Sequence, residues 1–348
     1  MQLLRSATLS SGPESGFANQ IFALIGYCVI AKQRGIGLLL PNFTTHDHGG
    51  IDIAFRELFE VEPFVRSLAS VNITAVDTVV TSSKVRFWRP TPWHGGSLAG
   101  WRIYKQGCST PGCKSRPRGS DRDAIESAVL AGLRPSPRLR RRVDRMQREL
   151  RWPIHEDSTH SGTEHHPVSE EASGLEGRTN GLQGYGCLHA RIEQDMIKSW
   201  RMNRAGHPPL LASYMDGIAA SPVLRNTRSI FVAVGLAISN ADNRTLMRPT
   251  SWGATLFRTT GGKAWHRWRP SHNETAASYT EASIVDFTIC REAQWLVGWP
   301  GSTFARTLAT LQWLDHKRGW YRACPSRPLQ YIEGLYLDHG GCIVANKK

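Results

Sequence analysis

The chain contains no stretch of about 18 apolar residues, the length a membrane-crossing helix needs, so no segment reads as a transmembrane helix. Its opening, Met1-Gln2-Leu3-Leu4-Arg5, has neither the basic start nor the apolar middle of a signal peptide. The expectation is a cytosolic protein, or a luminal part attached to membrane only through an N-terminal anchor that lies outside this sequence. No pair of cysteines forms a C-x-x-C spacing, which excludes the common zinc and redox frames. No internal repeat is present. Acidic residues are the scarcer sign, 29 Asp and Glu against 43 Lys and Arg, so the formal charge is +14. That balance favours an anionic partner, but nucleic acid, anionic membrane and a phosphorylated small substrate all satisfy it.

What is present is enough to fold. The 348 residues are 40% hydrophobic and 21% charged, sufficient for two α/β domains or one large one. Two features favour a secretory compartment. Seven cysteines occur, at 28, 108, 113, 187, 290, 324 and 342. Cys108 and Cys113 bracket a Ser-Thr-Pro-Gly turn, and Cys324 and Cys342 share a loop-rich tail; each pair is a candidate disulfide whose connectivity sequence does not fix. Four N-x-S/T acceptors, at Asn42, Asn72, Asn243 and Asn273, add to this.

The chain opens as a βαβ unit. Leu3 to Thr8 is strand-like, Ser10 to Gly16 is a loop, and apolar residues then recur at Ile21, Leu24, Ile25, Cys28 and Val29 with helical spacing. Gly35 stands where that helix stops, and Ile36 to Leu40 reads as a buried strand closed by Pro41. Arg138 to Arg151 is a basic, helix-compatible run. Residues 154–184 are rich in His, Ser, Glu and Gly without apolar pattern, and read as a linker or surface insertion. Alternation resumes with strands at Tyr185–Ala190, Ser229–Val234, Thr255–Arg258 and Trp295–Trp299. Helices are expected at Pro209–Ala220, Ala276–Ala293 and Ser302–Leu314. Strands alternating with helices imply parallel sheets covered on both faces. The expected layout is an N-terminal Rossmann-like, acceptor-side domain at 1–153, the insertion at 154–184, and a C-terminal nucleotide-sugar-binding domain at 185–348, facing each other across a cleft.

Three segments have the residue types that handle phosphate. Gly16-Phe17-Ala18-Asn19-Gln20 enters the first helix, where small residues let backbone N–H groups approach an anion and Asn19 adds side-chain donors. An ordinary capped βα turn has the same look. Leu188-His189-Ala190-Arg191-Ile192-Glu193-Gln194-Asp195-Met196 stands at the end of a strand, and where the strand continues His189 and Arg191, two apart, share a face. An arginine there presents a planar fork suited to a diphosphate; a surface salt-bridge group is the plainer alternative. Lastly, Asp286 lies on a helix before the strand Leu296-Val297-Gly298, after which Gly301-Ser302-Thr303-Phe304 opens another helix. Small hydroxyl residues at that position suit an anion or simply N-cap the helix.

Taken in order, the three segments resemble the protein O-fucosyltransferase group. Asp286 stands the same distance before Ser302 as in the animal enzymes of that group, and the Leu188–Met196 cluster looks closer still to the plant-type O-fucosyltransferase-like branch. The likeness covers roughly residues 10–41, 185–200 and 280–312. It implies a GT-B fold and inverting transfer of fucose from GDP-fucose, with no cofactor and no obligatory metal, to a protein Ser/Thr or glycan hydroxyl in the endoplasmic reticulum or Golgi. Arg191 would match the family's essential arginine on the diphosphate, and His189 the residue that helps hold the nucleotide. Asp286 would match the acid that reads guanine, and Ser302, Thr303 and Phe304 the contacts to phosphate and base. Gly16 and Asn19 would match the loop beside the sugar phosphate. Glu14, one residue out of register, resembles the base used in one branch.

The plant-type likeness also admits another nucleotide sugar, and a non-catalytic glycan-binding relative would keep the fold. A nucleic-acid-binding protein would explain the arginines at 138, 140, 141, 142, 145 and 148, but that run lacks interleaved aromatics and reads as a solvated face. Asp121-Arg122-Asp123 has the D-x-D form of metal-dependent glycosyltransferases, although its place ahead of an apolar run suits a helix start better. The histidines at 155, 160, 165 and 166 have no ordered metal frame around them.

Overall fold

The computed structural model describes residues 2–5, 16–45, 52–77, 86–88, 121–151, 184–190, 211–227, 229–234, 264–266, 278–324 and 328–333. Within them, β1 (Gln2–Arg5), β2 (Gly37–Leu39), β5 (Ala75–Val76) and β6 (Arg86–Trp88) form one parallel sheet in the order β5-β2-β1-β6. A short antiparallel ladder, β3 (Phe43–Thr44) with β4 (Asp52–Ile53), is inserted between β2 and β5. The second half builds β7 (Gly186–His189), β8 (Ser229–Ala233), β9 (Ala264–His266), β10 (Trp295–Gly298), β11 (Trp320–Arg322) and β12 (Gln330–Ile332). These pair in the order β12-β11-β10-β7-β8-β9, parallel except for β12. Both sheets are doubly wound: the chain starts in the middle, steps one way, then returns to the other side of the first strand. The reversal falls between β1 and β6 in one sheet and between β7 and β10 in the other, the crevices where such folds take ligands.

Eight helices occur among the described residues: α1 (Phe17–Arg34), α2 (Phe55–Leu58), α3 (Val61–Ala69), α4 (Asp121–Gly132), α5 (Pro137–Arg151), α6 (Leu211–Ala220), α7 (Tyr279–Glu292) and α8 (Thr303–His316). The helix α1 ends as the sequence indicates, with Gly35 in the left-handed region at φ 61° and its N–H returned to carbonyls of the last turn. The strands expected at 185–190, 229–234 and 295–299 and the helices near 209–220, 276–293 and 302–314 are all present. The strand expected at Thr255–Arg258 and the insertion to residue 183 lie outside the described residues. Asp121 and Asp123 fall in the first turn of α4. The loop-rich tail holds more order than its composition suggests, since β11 and β12 extend the second sheet there. Among the described residues no helix is long and apolar enough to cross a membrane.

Burial explains why the central strands read as continuous apolar runs. Cys187 and Phe231 face one core, whereas Leu188, Ile230, Val232 and Val297 face another across the sheet. The first of these cores takes residues from both halves of the chain, with Phe17, Leu24, Phe43 and Phe64 packed in one cluster with Phe287, Leu296 and Leu308. The helix that joins them is α7. It packs on β7 and β8, on α1 and α8, and on α5, which precedes the insertion in sequence but lies against the second half.

At its N-terminus α7 carries a capping box, in which the Ser278 hydroxyl accepts from the Glu281 N–H (3.1 Å) and Glu281 Oε2 accepts from the Ser278 N–H (3.2 Å). Glu281 is nearly buried and also receives two guanidinium groups from α5, Arg138 and, at 3.5 Å, Arg142. One carboxylate thus caps α7 and ties α5 to it. Replacing it by Glu281→Ala should cost about 2–3 kcal/mol, because a nearly buried ion pair and a cap go together. Urea denaturation of the pure variant measures this, and a loss below about 0.5 kcal/mol, the range of ordinary surface substitutions, would remove Glu281 from that role.

A candidate nucleotide site at the second switch point

The strand β7 ends at His189 and β10 at Gly298, side by side in parallel register, with His189 opposite Gly298. The loop Trp299-Pro300-Gly301-Ser302 then turns the chain into α8. Ser302 is the N-cap: its side chain accepts from the Ala305 N–H at 3.4 Å, and its carbonyl accepts from the Arg306 N–H at 3.1 Å. The same Ser302 Oγ stands 2.8 Å from His189 Nε2. Both residues are buried. One hydroxyl therefore caps a helix and joins the two strands that flank the switch point.

Phe304, two residues into α8, stacks on the His189 ring with centroids 4.6 Å apart and planes at 27°. Phe287 of α7 meets Phe304 edge-on at 5.4 Å, and meets Phe17, the first residue of α1, edge-on at 5.6 Å. An unbroken chain of rings thus runs from the glycine loop of the first half to the histidine of the second. The start of α1 lies close to that of α7, for an ideal Cβ on Gly16 would stand 4.0 Å from the Tyr279 hydroxyl.

The two helix starts flanking this chain are electrostatically alike. Neither α1 nor α8 has an acidic residue in its first turn, and Gly16 offers α1 no side-chain cap. The positive ends of both helices are uncompensated from within, which suits an anion. Asp286 is half-buried on α7 beside Phe287, the one acid among the predicted residues of the described segments. Of the sequence-predicted residues, then, Gly16, His189, Ser302, Thr303, Phe304 and Asp286 sit on elements that this ring chain draws together. Asn19 is half-buried in the first turn of α1. Arg191 and Glu14 lie outside the described residues.

Four residues at this site were not singled out from sequence as its parts. Phe17 and Gln20 stand within the glycine-loop motif, but as motif letters without a role. Gln20 is fully buried and holds β3 by both ends of its amide: Nε2 donates to the Thr44 carbonyl and Oε1 accepts from the Thr44 N–H, each at 2.9 Å. Thr280 of α7 donates to the same carbonyl at 3.1 Å. Phe287 follows Asp286 directly and looks in sequence like any core aromatic. The pairing of cysteines was also unforeseen, since Cys187 of β7 is bonded to Cys290 of α7 across a separation of 103 residues. Cys324 is disulfide-bonded too, whereas Cys108, Cys113 and Cys342 lie outside the described residues. Cys28 is free and fully buried, and burial pushes its thiol well above the ordinary range, so it is chemically quiet.

No protein-family model matches the chain, and no curated protein matches it either. Solved structures do. POFUT1 in complex with GDP-fucose is similar with a TM-score of 0.51 at 13% identity in one crystal form, over 90% of this chain and 94% of that one. A second crystal form of the same complex gives 0.50 at 13% identity with the same coverage. POFUT1 in complex with GDP gives 0.50 at 14% identity, over 92% of this chain and 97% of that one. Identity at this level speaks to the fold, and the fold is the α/β arrangement of GT-B type that the sequence resemblance implied.

Gly301 has a steric reason to be glycine. A Cβ placed there would stand 1.4 Å from the ring of Trp299, which is 2% exposed and packed in the second core. Gly301→Ala should therefore cost about 1–3 kcal/mol through overpacking and displace the Ser302 cap from His189. Chemical denaturation reads the first effect, and the His189 ring resonances in an NMR spectrum read the second. A variant with unchanged stability and unchanged resonances would show that the loop yields freely.

Proposed function

We propose that the chain is an inverting glycosyltransferase that takes GDP-fucose and transfers fucose to a hydroxyl of a protein or glycan acceptor. The observation that carries this reading is the His189–Ser302–Phe304 cluster, seated at the switch point between β7 and β10 and joined through Phe287 to the glycine loop of the other half. The structures of this fold with which the chain compares hold GDP-fucose or GDP, and the residues here suit such a ligand. In the proposal, the N-terminus of α8 with Ser302 and Thr303 receives phosphate oxygens. Phe304 and Asp286 contact the base, the carboxylate accepting from the N–H edge of guanine. Gly16 and Asn19 border the sugar.

The chemistry follows from where charge develops. The acceptor oxygen attacks C1 of the sugar from the face opposite the diphosphate, the C1–O bond to phosphate breaks, and its electron pair leaves with GDP. Arg191, two residues beyond His189, is proposed to stabilise that departing charge as a fixed cation, without need of a metal. The acceptor hydroxyl loses its proton as the new bond forms, and Glu14 is the proposed recipient. Three bonded cysteines, the Cys187–Cys290 pair and Cys324, together with exposed acceptor asparagines at 42 and 72, support residence in the oxidising lumen of the endoplasmic reticulum or Golgi. Much of the basic run on α5 is engaged internally, with Arg138 and Arg142 on Glu281 and Arg140 near Asp144 and Glu292, which supports a small anionic ligand over nucleic acid.

Thermal unfolding with GDP, UDP and an oligonucleotide at fixed salt tests the donor. A hundredfold excess of GDP over its Kd should stabilise the protein by about 2.7 kcal/mol, and Asp286→Ala should abolish that gain. Stabilisation by UDP alone would overturn fucose as the transferred sugar, and a response confined to the oligonucleotide would overturn the enzyme reading. Arg191→Ala is expected to lower fucosyl transfer by at least about a hundredfold, the cost of losing one well-placed electrostatic donor. An unchanged rate would remove Arg191 from the reaction.

A further inference from the structure

The disulfide between Cys187 and Cys290 occupies a particular place. Cys187 and His189 are two apart on β7 and so project from the same face, about 6.6 Å apart along the strand. Cys290 and Asp286 are four apart on α7 and share a helical face, about 6 Å apart along the axis. The helix runs antiparallel to β7, because the short turn Ala293-Gln294 leads it into β10, which is parallel to β7. A step from the disulfide toward the carboxyl edge of the sheet thus covers nearly the same distance on both elements. It ends at His189 on one and at Asp286 with Phe287 on the other.

Behind the disulfide the same two elements are pinned again. Tyr185, on the Cys187 side of the strand, donates its hydroxyl to the Ile289 carbonyl at 2.8 Å, and the Gln294 N–H donates to the Tyr185 carbonyl at 2.9 Å. Gln147 of α5 donates to Glu292 at 2.8 Å and to the Tyr185 hydroxyl at 3.3 Å. Both cysteines are fully buried, with Cα atoms 5.2 Å apart. A cross-link meant only to hold the fold together could sit on any pair of buried elements. This one joins the strand that ends in His189 to the helix that carries Asp286, one step from each.

We infer that Cys187–Cys290 is a positioning element of the donor site. It fixes α7 on β7 in the register that sets Asp286 and Phe287 against Phe304 and His189, and opening it weakens nucleotide binding while the fold persists. The inference rests on the donor-site reading above and adds to it a covalent determinant of affinity.

The test is a calorimetric titration of GDP into the oxidised full chain and into the double variant Cys187→Ala with Cys290→Ala, which leaves the Cys324 disulfide in place. Both are titrated well below their own unfolding transitions, with near-UV circular dichroism as the check on packing. The expected result is a GDP Kd raised at least about tenfold, within the span of coupling between neighbouring residues. The donor KM should rise in parallel, with kcat at saturating donor nearly kept. A lower melting temperature with an unchanged Kd would make the bond merely stabilising and overturn the inference. The wild type opened with a phosphine reductant gives a second measurement without altered side chains, and Cys324→Ala controls for the other disulfide. Reduced protein that binds GDP as tightly as oxidised protein overturns the inference alone. Oxidised wild type that binds no GDP at all overturns the donor-site reading and this inference with it.

Discussion

Phe287 meets two rings edge-on, Phe17 at 81° and Phe304 at 87°, and through it the two parts of the candidate site are joined. Phe17 opens a helix near the start of the chain, and Phe304 opens one near its end. Nothing in their sequence distance brings them together. What does is the seating of α7, whose two ends are held by different means. Its N-terminus is fixed by Glu281 and Thr280, through the capping box, the α5 arginines and the Thr44 carbonyl. Its C-terminal turn is fixed by Cys290 and the Tyr185 hydroxyl. Aromatic pairs of this kind contribute about 0.5–1.5 kcal/mol each beyond the area they bury. The covalent bond, the capping box and the ion pairs of Glu281 that seat α7 therefore decide where the rings meet.

The excess of positive charge is divided by this arrangement. Arginines of α5 that turn inward meet acids of α7, and the helix becomes a charged seam between two parts of the structure. Arg141 and Arg148 remain exposed on the opposite face. A basic run that looked uniform in sequence thus has two sides with different physical roles. The sequence could not show this, because the acids that complete the seam lie more than a hundred residues away. The positive field at the candidate site has another origin in the described residues, the starts of α1 and α8.

How far the structure could be read from sequence follows the range of each interaction. The helix α1 was legible because its apolar spacing and Gly35 are local signals, and the strands β7, β8 and β10 were legible because burial on both faces leaves uninterrupted apolar runs. The short strands β5, β6, β11 and β12 were not seen: two or three residues pair too briefly to leave a pattern of their own. At the site, His189, Asp286 and Ser302 could be named because their residue types and order resemble known enzymes. Gln20 could not be given its role, since its partner is a backbone amide in β3 with no side-chain signature. Phe287 and the Cys187–Cys290 bond stayed hidden for the related reason that aromatic stacking and cysteine pairing leave no mark on either residue alone.

The order of strands in the second sheet also bears on how the protein is made. The central strand β7 has one neighbour, β8, roughly forty residues further along the chain, but its other neighbour, β10, is roughly a hundred residues further along. At about 5–20 residues per second, the edge that will become the switch point stays bare for some 5–20 s. It is apolar on both faces and its backbone amides are unpaired, the condition that invites association with other chains. A nascent chain of this topology has a vulnerable interval set by its connectivity, and it falls on the strand that ends in His189.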